Sequence, residues 1–241
     1  MKTVNLLKYQ LQTYFKGSSF VMPFVVTAIF MYTMYSVKPQ EIVSSFLLSG
    51  MVLFFVMVWI GMTAAQNERP VEEQILILKM DNSLQYYLGK FLLLLALALL
   101  MDIIYTFFPV IQNAINGFEL FSQKLGTYEI ANVFILQLGT ALLGCAVGNF
   151  LHPRIMKDRK LAIILTVFIA VIAVTVPALK QECSALRWVL WIFPPVMLPS
   201  EIYGEANVFR FSQTLLIFLI LLFYVAVYAT VKGFLCNRKR W

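Results

Sequence analysis

Phe91-Leu-Leu-Leu-Leu-Ala-Leu-Ala-Leu-Leu-Met101 is apolar at every position, so a helix built from it has no polar side to turn toward water. A helix on the surface of a soluble domain carries one apolar stripe; one that is apolar all round belongs in a core or a bilayer. Read outward, the apolar character runs over 84–109. At 1.5 Å per residue that exceeds the roughly 30 Å of hydrocarbon a spanning helix must cross. Five further segments have the same character and length: 18–37, 42–65, 128–151, 161–179 and 212–235. The ten-residue alternating segments of an outer-membrane barrel are missing, and a helix is the other structure that satisfies its backbone within lipid. The sequence predicts an all-α integral membrane protein, a single transmembrane domain of six helices over 1–241.

Composition leads the same way. Of 241 residues, 61% are hydrophobic and 13% charged, against roughly 45–50% and about 25% in soluble domains. Disorder and a disulfide-stapled secreted fold are excluded. The net charge of +7 does not signal nucleic acid, because the basic residues flank apolar spans instead of forming a basic domain. With the N-terminus placed in the cytoplasm, fourteen Lys and Arg fall inside: three before span 1, three in the 2–3 loop, four in the 4–5 loop and four in the C-terminal tail. Only Lys38, Lys124, Lys180, Arg187 and Arg210 fall outside. The positive-inside rule therefore puts both termini in the cytoplasm of a multi-pass cell-membrane protein.

The connecting segments carry more than connection requires. Residues 1–17 combine Val4, Leu6, Leu7, Leu11 and Phe15 with Lys2, Lys8 and Lys16, which suits a helix lying along the membrane interface among anionic lipid headgroups. The 67–81 segment reads as a second short amphipathic helix. Asn67 can cap it, Pro70 falls in its first turn, and Glu68, Glu72 and Glu73 suit its positive end. Ile75, Leu76, Leu78 and Met80 follow, and Asp81, Asn82 and Ser83 close it and start span 3. A mere linker requires neither the acids nor the aliphatics, so this helix is expected to dock something.

A family resemblance enters here. The stretch Asn67-Glu-Arg-Pro-Val-Glu-Glu-Gln-Ile-Leu-Ile-Leu-Lys-Met-Asp-Asn-Ser-Leu-Gln-Tyr-Tyr-Leu-Gly-Lys90 resembles the loop between the second and third spans of type 2 ATP-binding-cassette permeases. There, an acidic, arginine-containing start is followed by an aliphatic helix, a polar turn and a Gly-Lys pair. The Gly-Thr pair that many members carry after the arginine is missing. The resemblance implies that 67–81 is a cytoplasmic coupling helix seated on a separate ATP-binding subunit, which would hold the ATP and Mg; no cofactor is expected in this chain. Docking is then expected from Asn67, Glu68, Arg69, Glu72, Glu73, Leu76, Lys79 and Asp81, with Arg154 and Lys157 of the 4–5 loop as a second contact. The likeness also implies a second permease subunit, a homodimer being expected. Among small stand-alone permeases it is nearest to bacterial exporters of amphipathic membrane-active peptides, including those for phenol-soluble modulins, and to lantibiotic-immunity permeases.

Segment 180–211 is too apolar for an ordinary outer loop. Trp188, Trp191 and Phe193 lead into Pro194-Pro195, and Pro199 follows. About ten apolar residues broken by prolines cannot span and should dip and return as re-entrant outer helices. The resembling exporters have such helices before the last span, the second at about 201–213 here. Trp188, Trp191, Phe193, Pro194, Pro195 and Pro199 are expected to form an outer gate. Inside the spans, Asp102 must face protein or water. Two readings stand equal for it, a substrate path or a polar contact with Gln137 or Thr140. Gly144-x-x-x-Gly148 allows close helix packing, within the subunit or across a dimer.

Enzyme chemistry finds no footing. No G-x-x-x-x-G-K-[ST] phosphate loop or G-x-S-x-G elbow occurs, and one histidine, His152, cannot build a metal site. The expected function is the membrane-spanning subunit of an ATP-driven exporter. A secondary transporter and an accessory membrane protein are the alternatives. Neither requires an acidic docking helix between spans 2 and 3.

Overall fold

The computed structural model describes residues 2–67, 70–80, 83–182, 187–204 and 206–238. Regular structure among the described residues is helical apart from one isolated bridge. In order the helices are α1 (Lys2–Lys16), α2 (Val21–Met34, entered through a 3-10 turn at Ser18–Phe20), α3 (Ile42–Gln66), α4 (Pro70–Lys79) and α5 (Ser83–Ile115). They continue with α6 (Thr127–Gly148), α7 (Arg159–Glu182), α8 (Arg187–Leu190), α9 (Leu198–Tyr203) and α10 (Phe211–Arg238). Helices α3, α5, α6, α7 and α10 are long and apolar enough to cross a membrane. The segment Ser18–Met34 meets that test together with α1, from which it is bent by 73°. Only 28% of the most apolar window of α7 and 22% of that of α10 is buried within the chain, so their aliphatic faces are built for lipid. This is a membrane-embedded helical protein.

Helix α6 is the axis of the bundle, packing on α3, α5 and α10. Its contact with α3 is the closest, because three glycines remove the side chains that would hold the backbones apart. A Cβ on Gly144 would lie 2.7 Å from the Phe54 carbonyl oxygen, and one on Gly61 of α3 would lie 2.6 Å from the Cys145 carbonyl oxygen. At Gly148 a Cβ would overlap the Val58 carbonyl oxygen. The small-residue motif therefore packs within the subunit, with backbones as near as small-x-x-x-small pairs permit.

Several boundaries differ from the sequence reading, each for a local reason. The first span ends at Met34, not at 37, because Ser36 donates to the Thr33 carbonyl and Gln40 to that of Met34, withdrawing them from a further turn. Span 3 does not stop at Pro109 but runs on to Ile115. A proline deletes one N–H without forbidding continuation; the helix ends at Gly117, whose φ of +67° is the left-handed conformation glycine adopts without penalty. Helix α7 likewise runs through Pro177 to Glu182, past the expected end at 179. Helix α1 packs on α5 through Leu6 and Gln10, and Tyr14 is buried near Thr63 of α3. Gly89 makes the space, since a Cβ there would strike Leu6. Val4 and Phe15 lie off this buried face.

At one end of the bundle, hereafter the basal end, lie α1, α4, the 149–158 loop and the C-terminal turn of α10. At the far end the 35–41 and 116–126 loops are tied by the Gln40–Phe121 bridge. Phe121 packs there between Tyr35 and Phe46, at centroid distances of 6.3 and 5.8 Å.

Candidate functional site

Helix α4 is short, begins at Pro70 and has Glu72 and Glu73 in its first turn and Lys79 in its last, which complements its dipole at both ends. Its two sides differ sharply. Glu73 is buried, and its Oε2 accepts a hydrogen bond of 3.0 Å from Arg154 Nε, a charged pair whose side chains are only 4% and 9% exposed. Arg154 Nη1 also donates to the Tyr87 hydroxyl at 3.2 Å, so one guanidinium joins α4, α5 and the loop after α6. Away from the strut Ile75, Leu78 and Lys79 are exposed, Leu78 to 84%, and Glu72, also exposed, stands at the edge of this face, where it borders the crevice against α1. Spacings of three and four align Glu72, Ile75 and Lys79, and Leu78 lies three residues from Ile75 on the same broad face.

The expected docking residues therefore divide. Glu72 and Lys79 are on the open face, and Lys157 is exposed on the neighbouring loop. Asn67 is exposed and accepts a 3.2 Å hydrogen bond from Ser19 Oγ. Leu76 is half-buried in a crevice against Tyr9, Thr13 and Tyr14 of α1. Glu73 and Arg154 are corrected: they are an internal strut, because a buried acid and a buried base stabilise each other only when paired. Glu68, Arg69 and Asp81 lie outside the described residues. Ile75 and Leu78 join the surface; their signal was the helical spacing from Glu72, which the acidic residues overshadowed.

Beside the strut, His152 is buried and its Nδ1 accepts the Arg154 backbone N–H at 3.3 Å. Burial, reinforced by Lys232, Lys90 and Arg154, pushes its pKa down to about 2, so the ring stays neutral. Among the described residues no three His, Cys, Asp or Glu side chains converge as a metal site.

The second region lies in the middle of the bundle. Asp102 is fully buried, and Thr106 Oγ1, one turn on, lies 3.3 Å from Asp102 Oδ1 and 3.0 Å from Gln137 Oε1 of α6. Asp102 thus has a polar contact that reaches Gln137 through Thr106, a bridge the sequence reading missed. Asp102 Oδ2 and Gln137 Nε2 have no hydrogen-bond partner among the described residues. Toward the far end, a void of about 20 Å³ separates Gln137 and Thr140 from Val196, Pro199 and Phe209.

The outer segment thus covers the polar centre, though not with the residues expected. Trp188 and Trp191 are corrected: they are 89% and 69% exposed and fill no plug. Trp191 instead abuts α10, where its carbonyl accepts the Tyr224 hydroxyl at 2.8 Å. Phe193 and Pro195 are half-buried, while Pro194, Val196 and Pro199 are buried. The second outer helix is Leu198–Tyr203, earlier and shorter than 201–213, since Gly204 at φ +50° closes it. Tyr203 fastens it to α10 by a 2.7 Å hydrogen bond with Thr214. No protein-family model matches the chain, and comparison with the curated proteins gives no match.

Proposed function

We propose that this chain is the membrane-spanning permease subunit of an ATP-driven exporter of amphipathic peptides or other hydrophobic compounds, powered by a separate ATP-binding subunit and paired with a second permease subunit. The carrying observation is α4: a ten-residue helix beyond the spans, clamped by Glu73–Arg154 and showing Glu72, Ile75, Leu78 and Lys79 away from that strut. Exposed aliphatics rimmed by charges outside the lipid-facing region suit a protein interface. The basal end then faces the cytoplasm, in keeping with the fourteen basic residues the sequence assigns to that side.

The connectivity makes this helix a lever. Helix α4 follows α3, and Arg154 follows α6, and α3 and α6 are the pair locked backbone to backbone at Gly61, Gly144 and Gly148. A push on α4 is carried through Glu73–Arg154 into one rigid unit instead of being absorbed in a loop. At the other end of that unit, Val196, Pro199 and Phe209 stand over Gln137 and Thr140, where displacement of α3 against the outer segment would open the path. The six-helix topology with an interfacial α1, a coupling α4 and re-entrant outer helices belongs to the same proposal.

A secondary transporter has one observation in its favour, the fully buried Asp102 in the middle of a span. The two readings part at α4. Affinity-tagged chain purified from its native membranes should retain a phosphate-loop protein, and Leu78→Asp or Glu72→Arg should lower the retained amount about tenfold or more, the loss of one buried aliphatic contact or charge pair. Lys38→Glu, at the far end, should not. Retention unchanged by both α4 variants, or no nucleotide-binding protein retained by the parent, would overturn the reading.

A further inference from the structure

Helices α5 and α10 both pack on α6 and scarcely touch each other, which leaves a cleft floored by α6 near the basal end. It encloses about 380 Å³. Its deeper wall is aliphatic, with Leu95, Leu142 and Val225, and its mouth is basic and phenolic, with Lys90, Lys232 and Tyr228. Phe91, 46% exposed, marks where the cleft opens to the outer surface of the bundle. Glu73, paired with Arg154, lies beside this end of the cleft, and Lys90, Lys232 and Arg154 are near enough to His152 to act on it together. An apolar depth ending in positive charge is the complement of an anionic head on a hydrocarbon tail.

We propose that the α5–α6–α10 cleft is a binding site for an acidic phospholipid of the surrounding leaflet, its phosphate held by Lys90 and Lys232 and one acyl chain laid along Leu95, Leu142 and Val225. Three features favour a resident lipid over passing solvent. The volume suits part of an acyl chain, the lining is mostly carbon, and the charged residues sit in the basal turns of spans, where lysines meet headgroups. Position gives the lipid a role, because Tyr87, which the strut's Arg154 contacts, also lines this cleft. An occupant there would brace α5 and α10 against the lever that begins at α4. Its binding does not depend on the export reading.

The test uses the full chain, purified in neutral detergent, stripped of lipid and titrated with phosphatidylglycerol, phosphatidylcholine of the same chains, or oleate. Native mass spectrometry counts bound molecules and thermal denaturation reports stabilisation. Phosphatidylglycerol should bind at one site per chain and raise the melting temperature, while phosphatidylcholine should do neither. Lys90→Gln with Lys232→Gln should weaken phosphatidylglycerol at least tenfold, two headgroup contacts being removed. Lys8→Gln with Lys157→Gln, which alters basal charge away from the cleft, should leave binding intact. Ala146→Phe, which fills the cleft without touching its charges, should abolish the one-site binding, and this keeps the test decisive should the lysine variant misfold. Equal binding of the two phospholipids, retention of binding in Ala146→Phe, or binding of oleate in place of phosphatidylglycerol would each overturn the assignment.

Discussion

Replacing Gly148 by alanine adds one methyl group where the structure has no room for it. The new Cβ would overlap the Val58 carbonyl oxygen and lie 2.9 Å from the Met62 backbone nitrogen. Neither is a side-chain tip that can swing away; both are backbone of α3, so the whole helix has to retreat. At Gly144 the shortfall can be measured: 2.7 Å to the Phe54 carbonyl oxygen, where ordinary contact begins at 3.4 Å, so α3 and α6 must part by about 0.7 Å. Overpacking of this kind costs about 1–3 kcal/mol. The internal control is Gly233 of α10, where an added methyl would meet nothing within 4 Å; alanine there should be neutral or gain about 0.5–1 kcal/mol from helix propensity. Titration with sodium dodecyl sulfate in mixed micelles, followed by the emission of Trp59 within α3, separates the two. Gly148→Ala and Gly144→Ala should unfold at lower detergent fraction than the parent and Gly233→Ala at the same or higher. The double variant should cost less than the sum, because the first methyl already opens the seam. Gly148→Ala unfolding together with Gly233→Ala would refute the close α3–α6 contact.

Three further outcomes follow from the geometry. Arg154→Met should cost about 3–5 kcal/mol by stranding the Glu73 carboxylate, and Glu73→Leu with Arg154→Met should regain most of it; a double variant as unstable as the single would show that the pair is not the strut. His152, neutral in the fold with its pKa pushed down to about 2 and ordinary when unfolded, takes up a proton only on unfolding, below about pH 6.5. Stability should then fall by about 2 kcal/mol between pH 6.5 and 5, and His152→Asn should flatten that slope in a pH series of melting curves. In vesicles without ATP, Val196→Ala with Phe209→Ala should increase dye leak, while Trp188→Ala with Trp191→Ala should not; the reverse order would return the gate to the tryptophans.

What could be read in the chain was its long-range apolar pattern. Runs such as 91–101 are apolar on every side, and five of the six expected segments recur as helices long and apolar enough to cross a membrane, the first recurring as the shorter Val21–Met34. Helix ends were less legible, because Pro109 and Pro177 carry the same local signal whether a helix stops or continues, and the outcome hangs on later residues such as Gly117. At the candidate site the residue types were visible but their facing was not. Glu72 and Glu73 are neighbours in sequence, a quarter-turn apart on α4, yet one is exposed and the other buried, a distinction made by Arg154, which arrives eighty-one residues later. The tryptophans of the outer segment had the same ambiguity. Large aromatics serve equally to fill a plug or to lie against lipid, and it is the smaller Val196 and Pro199 that line the void beside Gln137.

The export reading stands or falls on the energy source. Inside-out vesicles holding the chain and its co-purified nucleotide-binding partner should accumulate a labelled amphipathic helical peptide when ATP is supplied. Vanadate should stop the accumulation, Leu78→Asp should abolish it, and a protonophore should leave it unchanged. Accumulation that proceeds without ATP and collapses with the ion gradient or on Asp102→Asn would contradict the account and identify the chain as an ion-coupled transporter.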